Sequence, residues 1–173
     1  MYTGHFAAGF ALKARVPETP TWALLVACAM LDFLWAPFII AGWEVWRKGD
    51  IQIPWSHSLL MAVVWSIAYG SLFFRQGRLV VLVLALGVFS HFALDFLVHE
   101  PHLTFYPGST ARFGLGLGQA PWGPGWILEL AVILAASSYY IFRSKVDTRF
   151  GGKAFAACGA LVALHFGRAL LGM

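Results

Sequence analysis

The stretch "GVFSHFALDFLVHEPH", residues 87–102, decides how this chain is read, because it closes an apolar run long enough for a membrane span and yet carries three histidines and two carboxylates. Residues four apart on a helix share a face, so His91, Asp95 and His99 form one stripe of imidazole, carboxylate and imidazole. A charged carboxylate at the centre of a bilayer costs about 3 kcal/mol on insertion scales, so such residues face inward, find partners and mark function. The rest of the sequence has to supply those partners.

Working outward, the chain of 173 residues is 60% hydrophobic and 12% charged, with a mean hydropathy of +0.72. That balance lies outside the soluble range and implies a single integral membrane domain over residues 1–173. The apolar run "HFAAGFAL" precedes Lys13 and Arg15 rather than following a basic flank, which argues against a cleaved signal peptide. Cys28 and Cys158 lie in separate apolar runs without CxxC spacing and read as small buried residues. The net charge of +4 comes from basic residues scattered through short loops. It forms no stripe for a nucleic acid.

Segments at about 20–42, 55–74, 79–98, 123–143 and 153–172 have the length and apolar content of spanning helices. Residues 3–14 are apolar but too short to cross alone. The predicted fold is therefore all-α: a polytopic transmembrane bundle of five spanning helices plus a short N-terminal membrane-embedded helix. Residues 99–125 are too rich in Gly, Pro and aromatics for one helix and read as a long loop, with a lid as one role for it. Within it "GLGLG", Gly114 to Gly118, lacks the strand and third spaced glycine of a dinucleotide loop and reads as flexible.

Loop charges orient the bundle. One side holds Lys13, Arg15, Arg75, Arg78, Arg143, Lys145, Arg149 and Lys153; the other holds Arg47, Lys48 and Arg112, with Arg168 near the end of the last span. The richer side is predicted to be cytoplasmic. Trp43, Trp46, Trp55, Trp122 and Trp126 then fall at the outer interface as belt residues. At about 1.5 Å per residue, His91 lies about 18 Å and Asp95 about 24 Å along an outward-running helix that starts near Leu79. His5 opens the short helix on the same outer side, His57 stands at the mouth of the next span, and Glu129 lies two turns into another, with Asp32 slightly deeper. These residues are predicted to converge at one level.

Neutral imidazoles and carboxylates are what zinc and related divalent ions take when thiolates are absent. The stripe from His91 to His99, level with His5, His57 and Glu129 and with Asp32 slightly deeper, is therefore expected to help surround an ion, with Asp95 either a ligand or the orienter of a ligating histidine. His99 and His102 begin the long loop, where interfacial solvation competes with ligation. His165 has no carboxylate four residues away and is set aside as structural. Gly159, Ala163 and Gly167 form a small-residue stripe suited to close helix packing, within the bundle or against a larger membrane complex, and Gly9 is expected to do the same in the short helix.

Four motifs in order, "HFAAG" from His5, "MLDF" with Asp32, "WSHSLL" with His57 and Ser58, and "SHFALDF" with Ser90, His91 and Asp95, resemble a family of small bacterial inner-membrane proteins described as membrane-bound metal-dependent hydrolases, one of them LexA-binding. The likeness covers about the first 100 residues. It implies an inner-membrane location, a divalent metal, zinc by its donors, held by His5, His57, His91 and Asp95, and hydrolysis at a phosphoryl or acyl centre with Asp32 or Glu129 taking the proton, since burial raises a carboxyl pKa toward a useful range; the site's depth near the periplasmic headgroups suits a lipid-like phosphoester or ester. The chain departs from the family's Pro-Asp-x-Asp, having Leu31 before Asp32 and Leu34 where the second acid is expected, and Trp55 stands at an expected arginine. The alternative class is a non-catalytic metal-binding or structural subunit of a membrane complex.

Overall fold

The computed structural model describes residues 3–47, 50–145 and 151–171. Lys48 and Arg149, used above for orientation, and the predicted end of the last span at 172 lie outside the described residues. The helices are α1 (Thr3–Arg15), α2 (Thr21–Ile40), α3 (Pro54–His57), α4 (Leu59–Ser71), α5 (Arg78–Val98), α6 (Pro124–Lys145) and α7 (Gly151–Leu170), with a 3-10 turn at Phe74–Gln76. Two antiparallel hairpins interrupt the loops: β1 (Val45–Arg47) with β2 (Asp50–Gln52), and β3 (Leu103–Thr104) with β4 (Arg112–Phe113). The all-α expectation holds apart from these small hairpins.

Helix α5 is the axis of the bundle. Its buried residues, Val80, Val83, Leu84, Gly87, Val88, His91, Phe92, Asp95 and Val98, recur at three and four and so line one face. That face meets Leu24, Ala27 and Leu31 of α2 and Ala62 and Tyr69 of α4 in one apolar core. Small residues let the backbones close up. A Cβ on Gly87 would sit 3.0 Å from the Ala27 methyl, and one on Gly9 would sit 2.8 Å from Cys28 Sγ, so Gly9 does pack as expected. In α7, by contrast, Gly159 and Ala163 are exposed and the buried stripe is Ala154, Cys158, Leu161 and His165. The small-residue stripe of α7 therefore faces away from the bundle.

Four described helices, α2, α5, α6 and α7, are long and apolar enough to cross a membrane, not five. The predicted span at 55–74 is broken at Ser58, whose backbone is extended and whose hydroxyl accepts from Met61 N–H as the cap of α4. The 13 residues of α4 extend about 20 Å, short of the 30 Å hydrocarbon core. The segment still returns along α2: Tyr69 at its far end donates to Ala23 O at 2.8 Å, while His57 at its near end reaches Asp32. Breaking the helix frees His57 from the apolar wall of α4.

The glycine-rich loop is a strap rather than a flexible lid. Leu115, Leu117 and Gly118 donate their N–H groups to Phe96 O, Leu97 O and Val98 O, and Gly116 to His99 O, so the strap satisfies carbonyls that the end of α5 leaves open. Gly114 (φ 153) requires its glycine twice over, since a Cβ there would lie 2.5 Å from His99 O. The strap also brings Gln119 to the residues described next.

Candidate metal centre

Four helices and the residue after one of them deliver side chains to one chamber. The first turn of α1 supplies His5, the middle of α2 Asp32, the last residue of α3 His57, α5 both His91 and Asp95, and the residue after α5 His99. Ile53 and Gln119 complete the lining of a space of about 80 Å³. The contacts divide between the two oxygens of Asp95. His5 Nε2 and His99 Nε2 lie 3.3 and 3.6 Å from Oδ1, while His91 Nε2 and His57 Nε2 lie 3.2 and 3.6 Å from Oδ2. Asp32 Oδ1 faces the same two rings, 3.5 Å from His91 Nε2 and 3.6 Å from His57 Nε2. His5 and His91 stack face to face at 3.8 Å.

The opposite ring nitrogens fix the tautomers. His91 Nδ1 lies 2.7 Å from Cys28 O, and a carbonyl only accepts, so Nδ1 carries the proton. His57 Nδ1 lies 2.6 Å from Ser56 Oγ. Ser56 Oγ is in turn 2.8 and 2.9 Å from the two oxygens of Glu44, and Glu44 Oε1 also accepts the N–H groups of Ser56 (2.6 Å) and Trp55 (2.8 Å). Ser56 thus spends its single proton on Glu44 and accepts from His57 Nδ1–H. In the neutral rings of His57 and His91 the Nε2 lone pairs then face carboxylate oxygens. Acceptor meets acceptor at 3.2–3.6 Å, an arrangement that a second ring proton or a cation must resolve.

The donor set fits a divalent ion. Two groups of three ligand atoms each lie within 4.8 Å of one another: His5, His91 and Asp95, and Asp32, His57 and His91. A carboxylate or carbonyl that holds the far nitrogen of a ligating histidine is the usual support of such sites. Outside the spans, burial pulls the His99 imidazole below its ordinary 6.5, keeping it neutral and able to ligate. Burial pushes the Glu44 carboxyl up, and the donors of Ser56 and Trp55 pull the other way.

His5, His57, His91, Asp95 and Asp32 are brought together as their depths suggest, and His99 joins them. His102 does not; it turns to Glu100 at 3.7 Å. Glu129 is also elsewhere, a correction to its expected place beside the others. It accepts from Thr3 Oγ1 and Gly4 N–H, both at 2.9 Å, and so closes the N-terminus of α1 onto α6. Trp126, expected in the interfacial belt, is buried against His165 at 4.5 Å. Glu44, Ser56 and Gln119 were not foreseen. The Ser beside His57 was a signal for one of them; Glu44, in a loop between tryptophans, carried none.

A broken helix, a glycine strap and an apolar bundle thus enclose a polar centre in a multi-pass membrane protein. The chain belongs to the YdjM inner membrane protein family, whose model matches residues 2–170, well beyond the first 100 residues that carry the motifs. No curated protein and no solved structure matches it.

Proposed function

We propose that this protein is a metal-dependent hydrolase of the inner membrane, with its centre toward the periplasm and a lipid-like phosphoester or ester as substrate. The observation that carries the reading is the pair of imidazoles, His57 and His91, whose Nδ1 protons are committed elsewhere and whose Nε2 lone pairs converge with Asp32 and Asp95. His5, His57, His91 and Asp95 hold the ion, zinc being the metal that this donor set suits best. A divalent cation in such a chamber supplies Lewis acidity and makes water a nucleophile near neutral pH. Asp32, the most exposed of the six polar residues, accepts the proton released at the chamber mouth. Glu129 is too committed to Thr3 and Gly4 to share that role, and acts instead by holding the helix that carries His5.

Elemental mass spectrometry on detergent-purified protein tests the reading. About one equivalent of zinc or a similar ion per chain is expected in the wild type, with loss in His91→Ala and Asp95→Ala at unchanged helix content by circular dichroism. A metal-free wild type purified without chelator overturns it. The exposed Gly159 and Ala163 on α7 favour a second reading, a non-catalytic subunit of a larger complex. That reading expects Gly159→Leu to release a co-purifying partner that His91→Ala retains.

A further inference from the structure

The chamber is too small for a whole substrate. Its roughly 80 Å³ lies well below the about 300–1,000 Å³ of small-molecule sites. On the other side of Ile53, which is 2% exposed and lines both spaces, lies a second cavity of about 370 Å³, in the size range of small-molecule sites. Its walls come from the end of β2 and from the β3–β4 hairpin. Arg112, His102, Gln52, Thr104, Ser109 and Thr110 are among the residues that line it. None of the described residues lining it is acidic. Of the neighbouring carboxylates, Asp50 accepts from Gln52 Nε2 at 2.8 Å, and Glu100 lies 3.7 Å from His102 Nε2.

One detail marks a built site. Arg112 is held in place: it pairs with Thr104 across the hairpin, and its Nη1 donates to Ile51 O at 3.0 Å, which leaves four of the five N–H donors of an oriented fork. Guanidinium, imidazole and hydroxyl donors around one space match an oxyanion with several acceptor oxygens.

We propose that this cavity is the anion subsite of the same centre, taking a phosphate-class group of the substrate on Arg112 and His102 while the scissile ester reaches the chamber past Ile53. The proposal rests on the hydrolase reading for its link to chemistry, but the anion site stands on its own residues. Either a phospholipid headgroup or a soluble phosphoester supplies the shared phosphate.

Inorganic phosphate is titrated into full-length protein in detergent, with binding read by calorimetry, for wild type, Arg112→Ala, Arg112→Lys, His102→Ala and His91→Ala. Expected are at least a tenfold weakening in Arg112→Ala, a smaller one in Arg112→Lys and His102→Ala, and a change under twofold in His91→Ala, which removes a ligand of the metal centre and leaves this cavity intact. Wild-type affinity in Arg112→Ala and His102→Ala overturns the proposal. So does loss of phosphate binding in His91→Ala alone, which would place the anion on the metal and leave the hydrolase reading standing; phosphate binding that needs Arg112 in a protein with no metal would sink the hydrolase reading and keep the subsite. Competition by glycerol phosphate against phosphatidic acid in mixed micelles then separates the soluble from the lipid source.

Discussion

Two places in this bundle bury a carboxylate beside histidine, and they differ in how the polar atoms are satisfied. At the junction of α1, α6 and α7, Glu129 takes the hydroxyl of Thr3 and the N–H of Gly4, both donors, and His165 sits 3.7 Å away against the face of Trp126. In the chamber, Asp95 is ringed by four imidazole nitrogens, two of which have their protons on the far side of the ring. The first carboxylate has what it needs from the protein. The second is held by imidazoles alone, and a second ring proton or a cation resolves the acceptors that face it. A polar residue inside a membrane therefore signals function through the kind of partners it gathers, and its mere presence says less.

The sharpest way to break this comparison is to measure metal in Glu129→Gln beside Asp95→Ala. The contrast predicts an unchanged equivalent in the first and none in the second; loss of metal in both would make the two clusters one site. Next in size is Ser56→Ala, which leaves His57 Nδ1 without its acceptor and should weaken metal affinity 10- to 100-fold, roughly the cost of losing an outer partner of a metal ligand. A competitive chelator titration reads it, and wild-type affinity would remove Ser56 and Glu44 from the design. Glu129→Ala strands the Thr3 hydroxyl and the Gly4 N–H, so a loss of about 1–3 kcal/mol of stability is expected in denaturant unfolding in detergent.

The smallest effect concerns pH. Burial holds the His99 pKa below its ordinary 6.5, so in the interval between the two values the unfolded chain binds the proton and the folded chain does not. The contribution of His99 to stability is present above 6.5 and is lost as pH falls through the lower folded value. Metal affinity falls in the same direction because the ligands must be unprotonated. His99→Gln should flatten the acid limb of thermal stability in metal-free protein; an unchanged limb would assign it to other groups.

Much of this architecture is readable from the chain. Hydropathy and length place α2, α5, α6 and α7, and the spacing of four in His91, Asp95 and His99 puts them on one face whatever surrounds them, because helix geometry is local. Depth along the helices brings His5 and His57 to the same level. What stayed hidden were interactions between segments distant in sequence. An apolar run from 55 to 74 shows no break, yet Ser58 stops the helix by capping α4, in a segment where Leu60 N–H bonds Phe105 O from the long loop. "GLGLG" reads as flexible because its glycines have no local partners, while the carbonyls that hold it belong to the end of α5.

The sequence by itself determined that this is a membrane-embedded helical protein carrying an imidazole–carboxylate ladder, since burial of apolar surface and the helical repeat depend on nearby residues alone. Only the tertiary structure decided which carboxylate joined the ladder. Asp32 and Glu129 are equally out of place in their apolar runs, and it is the donors that other helices bring to each one that send Glu129 to the end of α1 and leave Asp32 facing His57 and His91.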